Sequence, residues 1–378
     1  MTTDVSGSDT EAAAPVSRGD TEAAAPARSG SWLRRALDVV DDRMGISALA
    51  YPVPEHANRL VWTLGGITAA SFMVLVVSGI LLAQFYSPMP EEANQSVRDI
   101  MTRVWGGNFI RGVHFWAAQA MYTTAILHLA RVFLTGSYKK PREGNWLVGV
   151  ALLGLTTLAL FTGTVLKWDQ EGFEALGHNL EIGALLGGLG FWFSPTLSDR
   201  ISILVRLYGA HVVIIPGLIL VLVMLHFLLV KRHKVSPHPL LRGDAAGEQA
   251  PAAEPSEPFT SHLRRLVAFG LALTGILGVL AVVAPPGVGA SPVAGVEVTR
   301  PPWMFWWPFT LENWFGLSSI LYGELGFFAI LAVVPFVDRN PNRWWRRRPV
   351  AMSLGLAFLL ILIVLTILKA VTKAQEHL

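Results

Sequence analysis

The sequence predicts an all-α membrane protein, a bundle of about seven transmembrane helices. Of its 378 residues, 52% are hydrophobic and only 15% are charged, an apolar share above that of ordinary soluble domains. A helix needs about 20 apolar residues to cross roughly 30 Å of hydrocarbon. Such runs lie near 60–86, 110–135, 146–166, 201–230, 264–284, 317–337 and 350–370.

The chain contains no cysteine. This excludes disulfides, iron–sulfur clusters held by thiolates and haem attached through a CxxCH motif. Any metal must therefore be held by histidine or oxygen ligands. The net charge of +3 is small for this length and gives no indication of a nucleic-acid partner.

The N-terminal segment precedes the first apolar run. Residues 1–30 are mainly Ala, Pro, Ser, Asp and Glu, and DTEAAAP occurs at both 9–15 and 20–26. This composition predicts a disordered tail, and the segment has no apolar stretch of the kind a signal peptide requires. Residues 31–47 alternate apolar and charged positions at helical spacing, which predicts a helix lying along the membrane surface.

The connections between the predicted spans differ in charge. Those at 137–146, 231–244 and 338–349 are basic, whereas those around 87–109, 167–200 and 285–316 hold fewer Lys and Arg. By the positive-inside rule, the N-terminus is expected to be cytoplasmic and the C-terminus outside. A cytoplasmic Pro/Ala/Glu-rich linker, 236–262, is predicted to join a surface helix plus four-helix domain, 31–235, to a three-helix domain, 263–378.

Four histidines fall in two predicted spans. His114 and His128 are fourteen residues apart, and His211 and His226 are fifteen apart. Helical geometry returns each pair to within roughly 40–60° of one face and separates its members by roughly 21–22 Å. If the two helices run antiparallel, His114 lies level with His211 and His128 with His226.

This arrangement predicts two b-type haems, bound without covalent attachment. Neutral imidazole suits iron, and two imidazoles on facing helices can occupy both axial positions of a haem. The alternative for a single membrane histidine is a hydrogen bond to a neighbouring helix. An ionisable residue inside a membrane nevertheless indicates function by default, and four in one pattern favour cofactor binding.

Small and cationic residues recur near the histidines. Span one carries Gly65 and Gly79, and span three carries Gly149 and Gly163, each pair again fourteen residues apart. Glycine allows a flat cofactor to approach the backbone, although helix packing is the alternative reason. Two arginines lie one helical turn from a ligand, where they could pair with haem propionates or only extend to the interface; these are Arg111 and Arg131.

Several segments resemble one known family. HLARVFLTGSYKKPRE at 128–143, YPVPEHAN at 51–58 and RLYGAHVVIIPGLILVLVMLHFLL at 206–229 are similar to cytochrome b of the quinol-oxidising bc and b6f complexes. From 262 onward, the chain looks like the three-helix partner of cytochrome b6. The resemblance implies a low-potential haem at His114 and His211 near the outer face, and a high-potential haem at His128 and His226.

The resemblance also implies a quinol-oxidising pocket on the outer side. Its first part is the end of span three, where GTVLKWDQ at 163–170 keeps Trp168 and Asp169 but has Thr164 and Lys167 in place of Tyr and Pro. Its second part is the loop before span six, where the family usually has PEWYF. Here the sequence is PPWMF at 301–305, so that Pro301 and Trp303 match but Pro302 replaces the glutamate.

The missing glutamate leaves the proton acceptor open. Removal of a proton from quinol requires an acceptor within hydrogen-bonding distance. Glu312 is the first candidate, ahead of Asp169 and Glu297, although Glu312 could instead only cap or solvate the start of span six. The cysteine that holds an additional haem in cytochrome b6 aligns with Thr63, so a covalent third haem is not expected.

The resemblance implies the cytochrome b subunit of a quinol oxidoreductase in a bacterial cytoplasmic membrane. Quinol, either menaquinol or ubiquinol, would give one electron to an external acceptor and the other through both haems to a quinone near the cytoplasm, coupled to proton translocation. The implied partners are a Rieske iron–sulfur protein or an equivalent acceptor, a c-type cytochrome and a second copy of the complex.

Two other functions fit parts of the sequence. A di-haem anchor could pass electrons between a dehydrogenase and quinone without splitting them, which the absent glutamate favours and the three additional spans do not. A proton-coupled transporter could use the intramembrane histidines as a relay. The transporter requires no haem and gives no reason for the paired glycines.

Overall fold

The computed structural model describes residues 32–44, 51–198, 200–238, 255–296 and 298–372. The predicted tail at 1–30, most of the predicted linker and Glu297 lie outside the described residues. The predicted surface helix is α1 (Trp32–Met44), which belongs to a separate unit.

The residues from Tyr51 onward form one compact, mainly helical unit. Its helices, in chain order, are α2 (Leu60–Ala83), α3 (Ala93–Thr102), α4 (Gly107–Leu134), α5 (Glu143–Val165), α6 (Gln170–Leu185), α7 (Ile203–Gly209), α8 (Ile215–His233), α9 (Phe259–Val283), α10 (Trp306–Phe315), α11 (Ser318–Val337) and α12 (Pro349–Val371). The predicted all-α, multi-span fold is thus confirmed.

Six helical segments within the described residues are long and apolar enough to cross a membrane. They are α2, α5, the continuous α7–α8 segment, α9, α11 and α12. The remaining predicted span is α4, which has 28 residues. It is long enough to cross, but Arg111, Gln119 and Arg131 make it less apolar than the other six.

The α7–α8 segment contains a π-helical turn at Ala210–Ile214, which includes His211. Pro216 lies just after this turn, and proline has no N–H to complete the α-helical ladder. A π turn accommodates one extra residue without an extra turn. This explains why His211 and His226 are fifteen residues apart whereas the α4 histidines are fourteen apart.

One end of the bundle, called the His128 end, brings together the three basic connections. Arg343 donates to Ser236 Oγ at 3.0 Å, joining the α11–α12 connection to the segment after α8. Lys139 Nζ lies 2.9 Å from Asp338 Oδ2, joining the α4–α5 and α11–α12 connections. The sequence prediction placed these three connections on one side of the membrane.

Asp338 is the centre of a buried cluster at the His128 end. It accepts hydrogen bonds from Tyr138, Lys139 and Arg348, and Arg348 also donates to Leu134 O at 2.8 Å at the end of α4. Burial alone would raise the pKa of Asp338, but these three donors outweigh it and lower the pKa. We call these four side chains the Asp338 cluster.

The opposite end, called the His114 end, brings together the less basic connections. Arg98 on α3 donates to Gly289 O at 2.7 Å. Asp169, just before α6, accepts from Gly289 N at 2.9 Å. The loop after α9 therefore lies against both α3 and the start of α6.

Strand pairing and close helix packing also join the three-helix part of the chain to the four-helix part. Strand β1 (Pro52–Pro54) pairs antiparallel with β2 (Ser256–Pro258) just before α9. Helix α9 packs against α2 and α4, and at Gly112 the backbones are so close that a Cβ atom would lie 2.8 Å from Ala281 Cβ. Small residues allow this close approach of membrane helices.

Candidate functional site

The predicted histidine pairs face one another across the bundle. The ring centres of His114 and His211 are 6.4 Å apart, with an angle of 63° between the ring planes. Those of His128 and His226 are 6.3 Å apart, at 72°. The fold therefore brings each histidine of α4 to the partner that the antiparallel arrangement predicts.

Hydroxyl groups fix the orientation of the first pair. His114 Nδ1 lies 3.0 Å from Ser78 Oγ, and His211 Nδ1 lies 2.8 Å from Thr162 Oγ1. Each hydroxyl donates its own hydrogen to a carbonyl of its helix, Val74 O for Ser78 and Leu158 O for Thr162. Each must accept from the imidazole, which leaves Nε2 of both rings as the nitrogen with a free lone pair.

The second pair has no such hydroxyl partner among the described residues. His128 Nδ1 lies 3.4 Å from an Arg131 Nη2, and Nδ1 of His226 has no well-formed hydrogen bond. Arg131 also stacks over Trp62 at 4.7 Å, while its buried Nε has no partner in the described parts of the chain. Arg131 thus retains hydrogen-bonding capacity next to His128.

All four predicted glycines lie opposite a histidine ring. A Cβ atom would be 3.0 Å from His128 Cε1 at Gly65, 3.2 Å from His114 Cε1 at Gly79, 3.8 Å from His226 Cε1 at Gly149 and 3.1 Å from His211 Cε1 at Gly163. The sequence predicts that these glycines leave space for haem edges. Among the protein atoms, an imidazole lies nearest to each glycine, so each glycine leaves room directly beside a predicted ligand.

The other predicted arginine, Arg111, is hydrogen-bonded differently. Its guanidinium donates to Pro286 O and, at 2.8 Å, to Gly287 O. It therefore fixes the loop after α9 against α4, a role that the sequence analysis did not predict.

At the His114 end, the start of α6 contacts the loop that leads to PPWMF. Asp169 caps α6 by accepting from Gly172 N at 3.0 Å, while its other oxygen accepts from Gly289 N. Further along α6, Glu174 accepts from Val298 N at 2.9 Å and from Thr299 N at 3.0 Å. The segment leading to PPWMF is thereby fixed along α6.

Trp168 has an unusual backbone at this junction. Its φ angle is +50°, in the left-handed region that bulky residues rarely adopt. Such a conformation costs on the order of 1–3 kcal/mol and is commonest near functional sites. Trp168 is nearly buried and packs edge-on against Phe173, with ring centres 5.7 Å apart.

The PPWMF segment contacts both its own helix and α4. Pro301 O accepts from Trp306 Nε1 at 2.7 Å, and Pro302 caps the short 3₁₀ turn Trp303–Phe305. Trp303 donates to Gln119 Oε1 on α4 at 2.8 Å. None of these groups is a carboxylate.

Glu312, the first candidate for proton acceptor, lies on α10 and is 2% exposed. Its Oε1 lies 3.1 Å from His178 Nε2 on α6. The sequence analysis missed His178, as it missed Ser78 and Thr162. Ser78 and Thr162 immediately precede Gly79 and Gly163, and that hydroxyl–glycine pattern is the signal that could have identified them.

The fold and the two histidine pairs define an integral membrane protein of the cofactor-binding class. The family model for cytochrome b/b6/petB matches residues 48–234. Cytochrome b6 of Mastigocladus laminosus is 37% identical over 208 residues, 53% of this chain and 96% of the relative. Cytochrome b6 of Heliobacterium mobile is 35% identical over 210 residues, 54% of this chain and 98% of the relative.

The chain belongs to the cytochrome b/b6 family. A solved structure described as hyperthermophilic respiratory Complex III matches with a TM-score of 0.75 and 20% identity, over 89% of this chain and 92% of that chain. That likeness extends beyond the cytochrome b6 region and includes the three-helix part of the fold.

Family membership implies haem b, and the histidine pairs fit it. About 2 Å from a metal to each imidazole nitrogen, plus about 1.2 Å from nitrogen to ring centre, gives ring centres about 6.4 Å apart across one metal. The observed 6.4 and 6.3 Å agree with this. Within the described residues, no group of three or more His, Asp or Glu side chains could hold a bare metal ion.

Proposed function

We propose that this chain is the cytochrome b subunit of a quinol oxidoreductase that moves electrons across the membrane through two b-haems, coupled to proton translocation. The observation that carries the proposal is the pair of histidine contacts, 6.4 and 6.3 Å between ring centres, each histidine facing a glycine. Haem b, when bound, carries one electron at a time. The chain sets its position and surroundings.

The residues at each end differ in what they would contribute. His114 and His211 hold the haem at the His114 end, with Ser78 and Thr162 keeping their Nδ1 atoms protonated. His128 and His226 hold the other, where the free Nε of Arg131 suits a propionate. The glycines leave space for the rings.

The proposed quinol pocket lies at the His114 end, between α6 and the segment before α10. Trp168, Asp169 and the segment Pro301–Trp303 form it, supported by the hydrogen bonds of Asp169 to Gly289 and of Glu174 to Val298 and Thr299. The three-helix part supplies half of this pocket. This favours quinol oxidation over a di-haem anchor, for which a four-helix core would suffice.

The remaining assignments follow the family. The external acceptor is a Rieske iron–sulfur protein or its equivalent, oxidised by a c-type cytochrome, and the complex is a dimer. By the positive-inside rule, the basic connections at the His128 end support an orientation with that end and the N-terminus on the cytoplasmic side of a bacterial membrane. The quinol is menaquinol or ubiquinol.

A redox-titrated visible spectrum of the purified protein tests the proposal, with His114→Ala and His128→Ala as variants. Two b-type signals of different potential are expected, and each variant should lose one. If no haem is present, the proposal is wrong and a proton-relay transporter becomes the better explanation. If two haems are present but quinol does not reduce the external acceptor, the proposal is also wrong and the di-haem anchor becomes the better explanation.

A further inference from the structure

A buried acid–base contact connects α6 with α10. His178 Nε2 lies 3.1 Å from Glu312 Oε1, and the two side chains are 7% and 1% exposed. Phe309 packs against the imidazole with ring centres 5.1 Å apart. Buried ionisable groups in such a position are expensive unless paired, and inside membrane proteins they commonly mark function.

The hydrogen bonds of His178 define where its protons are. Its Nδ1 lies 2.9 Å from the backbone oxygen of Glu174, and a carbonyl oxygen only accepts, so Nδ1 carries a hydrogen. In a neutral ring, Nε2 would then present a lone pair to the Glu312 carboxylate. Two lone pairs at 3.1 Å repel one another, so the contact requires a proton between His178 and Glu312.

The carboxylate keeps unused capacity to accept. Neither Glu312 oxygen has a well-aligned hydrogen bond within the described residues, although Oε1 lies 3.1 Å from His178 Nε2. Oε2 therefore has no donor at all there.

The contact joins the two helices that continue directly from the two parts of the proposed pocket. Helix α6 begins directly after Asp169, and α10 directly follows the PPWMF segment. In that segment Pro302 occupies the position of the family's glutamate and has no group that can accept a proton. Glu312 is thus a carboxylate on the same short helix that PPWMF introduces.

We propose that Glu312 accepts a proton from quinol through Oε2 and that His178 is the positioning residue that holds the Glu312 carboxylate through its contact with Oε1. This inference rests on the proposed function. The quinol O–H bond breaks, its electron pair stays on the quinol oxygen, and the proton forms a new O–H bond with Oε2. Complete oxidation to quinone also breaks the second O–H bond, whose proton passes to water at this end, and the two electrons would be taken up one each by the external iron–sulfur acceptor and by a haem held by His114 and His211.

Three other charged residues lie on the helices around the His178–Glu312 contact. Lys369 on α12 lies 5.5 Å from the Phe309 ring, on which His178 also packs, and donates to Asn313. On α6, Glu174 is occupied by the backbone of residues 298 and 299. On α11, Glu324 is the one charged residue of the helix.

The test measures quinol oxidation by the purified holocomplex across pH, with decylubiquinol and with a soluble menaquinol analogue. We expect Glu312→Gln to lower kcat about 100-fold or more with little change in KM, since a general base contributes about 10²–10⁴-fold. His178→Gln should have a similar effect, and the double variant should be no worse than either single variant. Glu181→Gln, which removes an exposed carboxylate from the same helix, should retain wild-type kcat.

Spectra of both b-haems separate this inference from the proposed function. If Glu312→Gln keeps both haem signals and wild-type kcat, the proton role is overturned while the proposed function stands. If the wild-type complex holds both haems but oxidises neither quinol, the proposed function itself fails. If Glu312→Gln does not assemble, Glu312→Asp decides: the pH profile of kcat must move, and an unchanged profile overturns the proposal.

Discussion

Thr162→Val isolates the contribution of one hydrogen bond to cofactor binding. Thr162 is fully buried, and its hydroxyl accepts from His211 Nδ1 at 2.8 Å. Valine has nearly the same shape but no acceptor, so a buried N–H loses its partner at a cost of about 1–3 kcal/mol. The ring is then free to carry its hydrogen on Nε2, the nitrogen required for iron.

We expect haem affinity at the His114 end to fall about 10–100-fold, the usual effect of removing a hydrogen-bond partner from a metal-binding histidine. At about 1.4 kcal/mol per tenfold change, this matches the loss of one buried hydrogen bond. The measurement is the fraction of each b-type signal that remains after stepwise dilution in detergent. The signals are assigned by the His114→Ala and His128→Ala variants.

A matched control lies on the same helix. Thr156 is 4% exposed, and its hydroxyl donates to Leu152 O at 2.8 Å. Thr156→Val should therefore leave both haem signals intact. The reasoning would be refuted if Thr162→Val kept wild-type affinity, if the signal assigned to His128 fell instead, or if both threonine variants behaved alike.

Two further variants probe the glycines that face the histidine rings and the Asp338 cluster. Gly163→Ala places a Cβ atom 3.1 Å from His211 Cε1, an overpacking that costs about 1–3 kcal/mol. The haem signal at the His114 end should weaken, whereas Gly144→Ala, which has open space around it, should change neither signal in the same titration. Asp338→Asn leaves two buried cations without their counterion, at about 3–5 kcal/mol, and should lower the melting temperature in detergent. Because the pKa of Asp338 is lowered, its stabilisation is present above pH about 4 and is lost as pH falls through that lowered pKa; a variant with the same acid-side loss as wild type would contradict this.

The spans and the histidine pairs could be predicted because both follow from the regular geometry of a helix. Residue spacing sets the face and the rise, so His114 and His128 could be placed on one side of α4 without any knowledge of its neighbours. The antiparallel order then predicted the partners. The four glycines followed from the same spacing, and each lies opposite a histidine ring.

The missed residues depend on contacts that spacing does not determine. Ser78 and Thr162 bind histidines on other helices, and His178 meets a carboxylate from a distant part of the chain. The π turn at His211 takes up the one extra residue between His211 and His226, which the spacing of an ideal helix does not predict. In each case two elements must first be packed before the contact exists.

The pattern of hydroxyls also distinguishes the two ends of the bundle. A hydroxyl residue precedes Gly79 and Gly163, whereas Leu64 and Val148 precede Gly65 and Gly149. A histidine that donates to a hydroxyl is a more basic ligand than one without an acceptor. The two proposed haems therefore have chemically different surroundings, and the difference comes from the single residue before each glycine.

The strand pair β1–β2 has a consequence for how the chain is held together. It joins residues 52–54 to 256–258, immediately after the linker, and α9 packs on α2 and α4. Once these surfaces are in contact, the covalent link between the two parts contributes mainly a high local concentration of one for the other. A cut within 239–254 would turn one polypeptide into two subunits that still bind each other through these surfaces. One gene could therefore become two, or two become one, without a change in the interface.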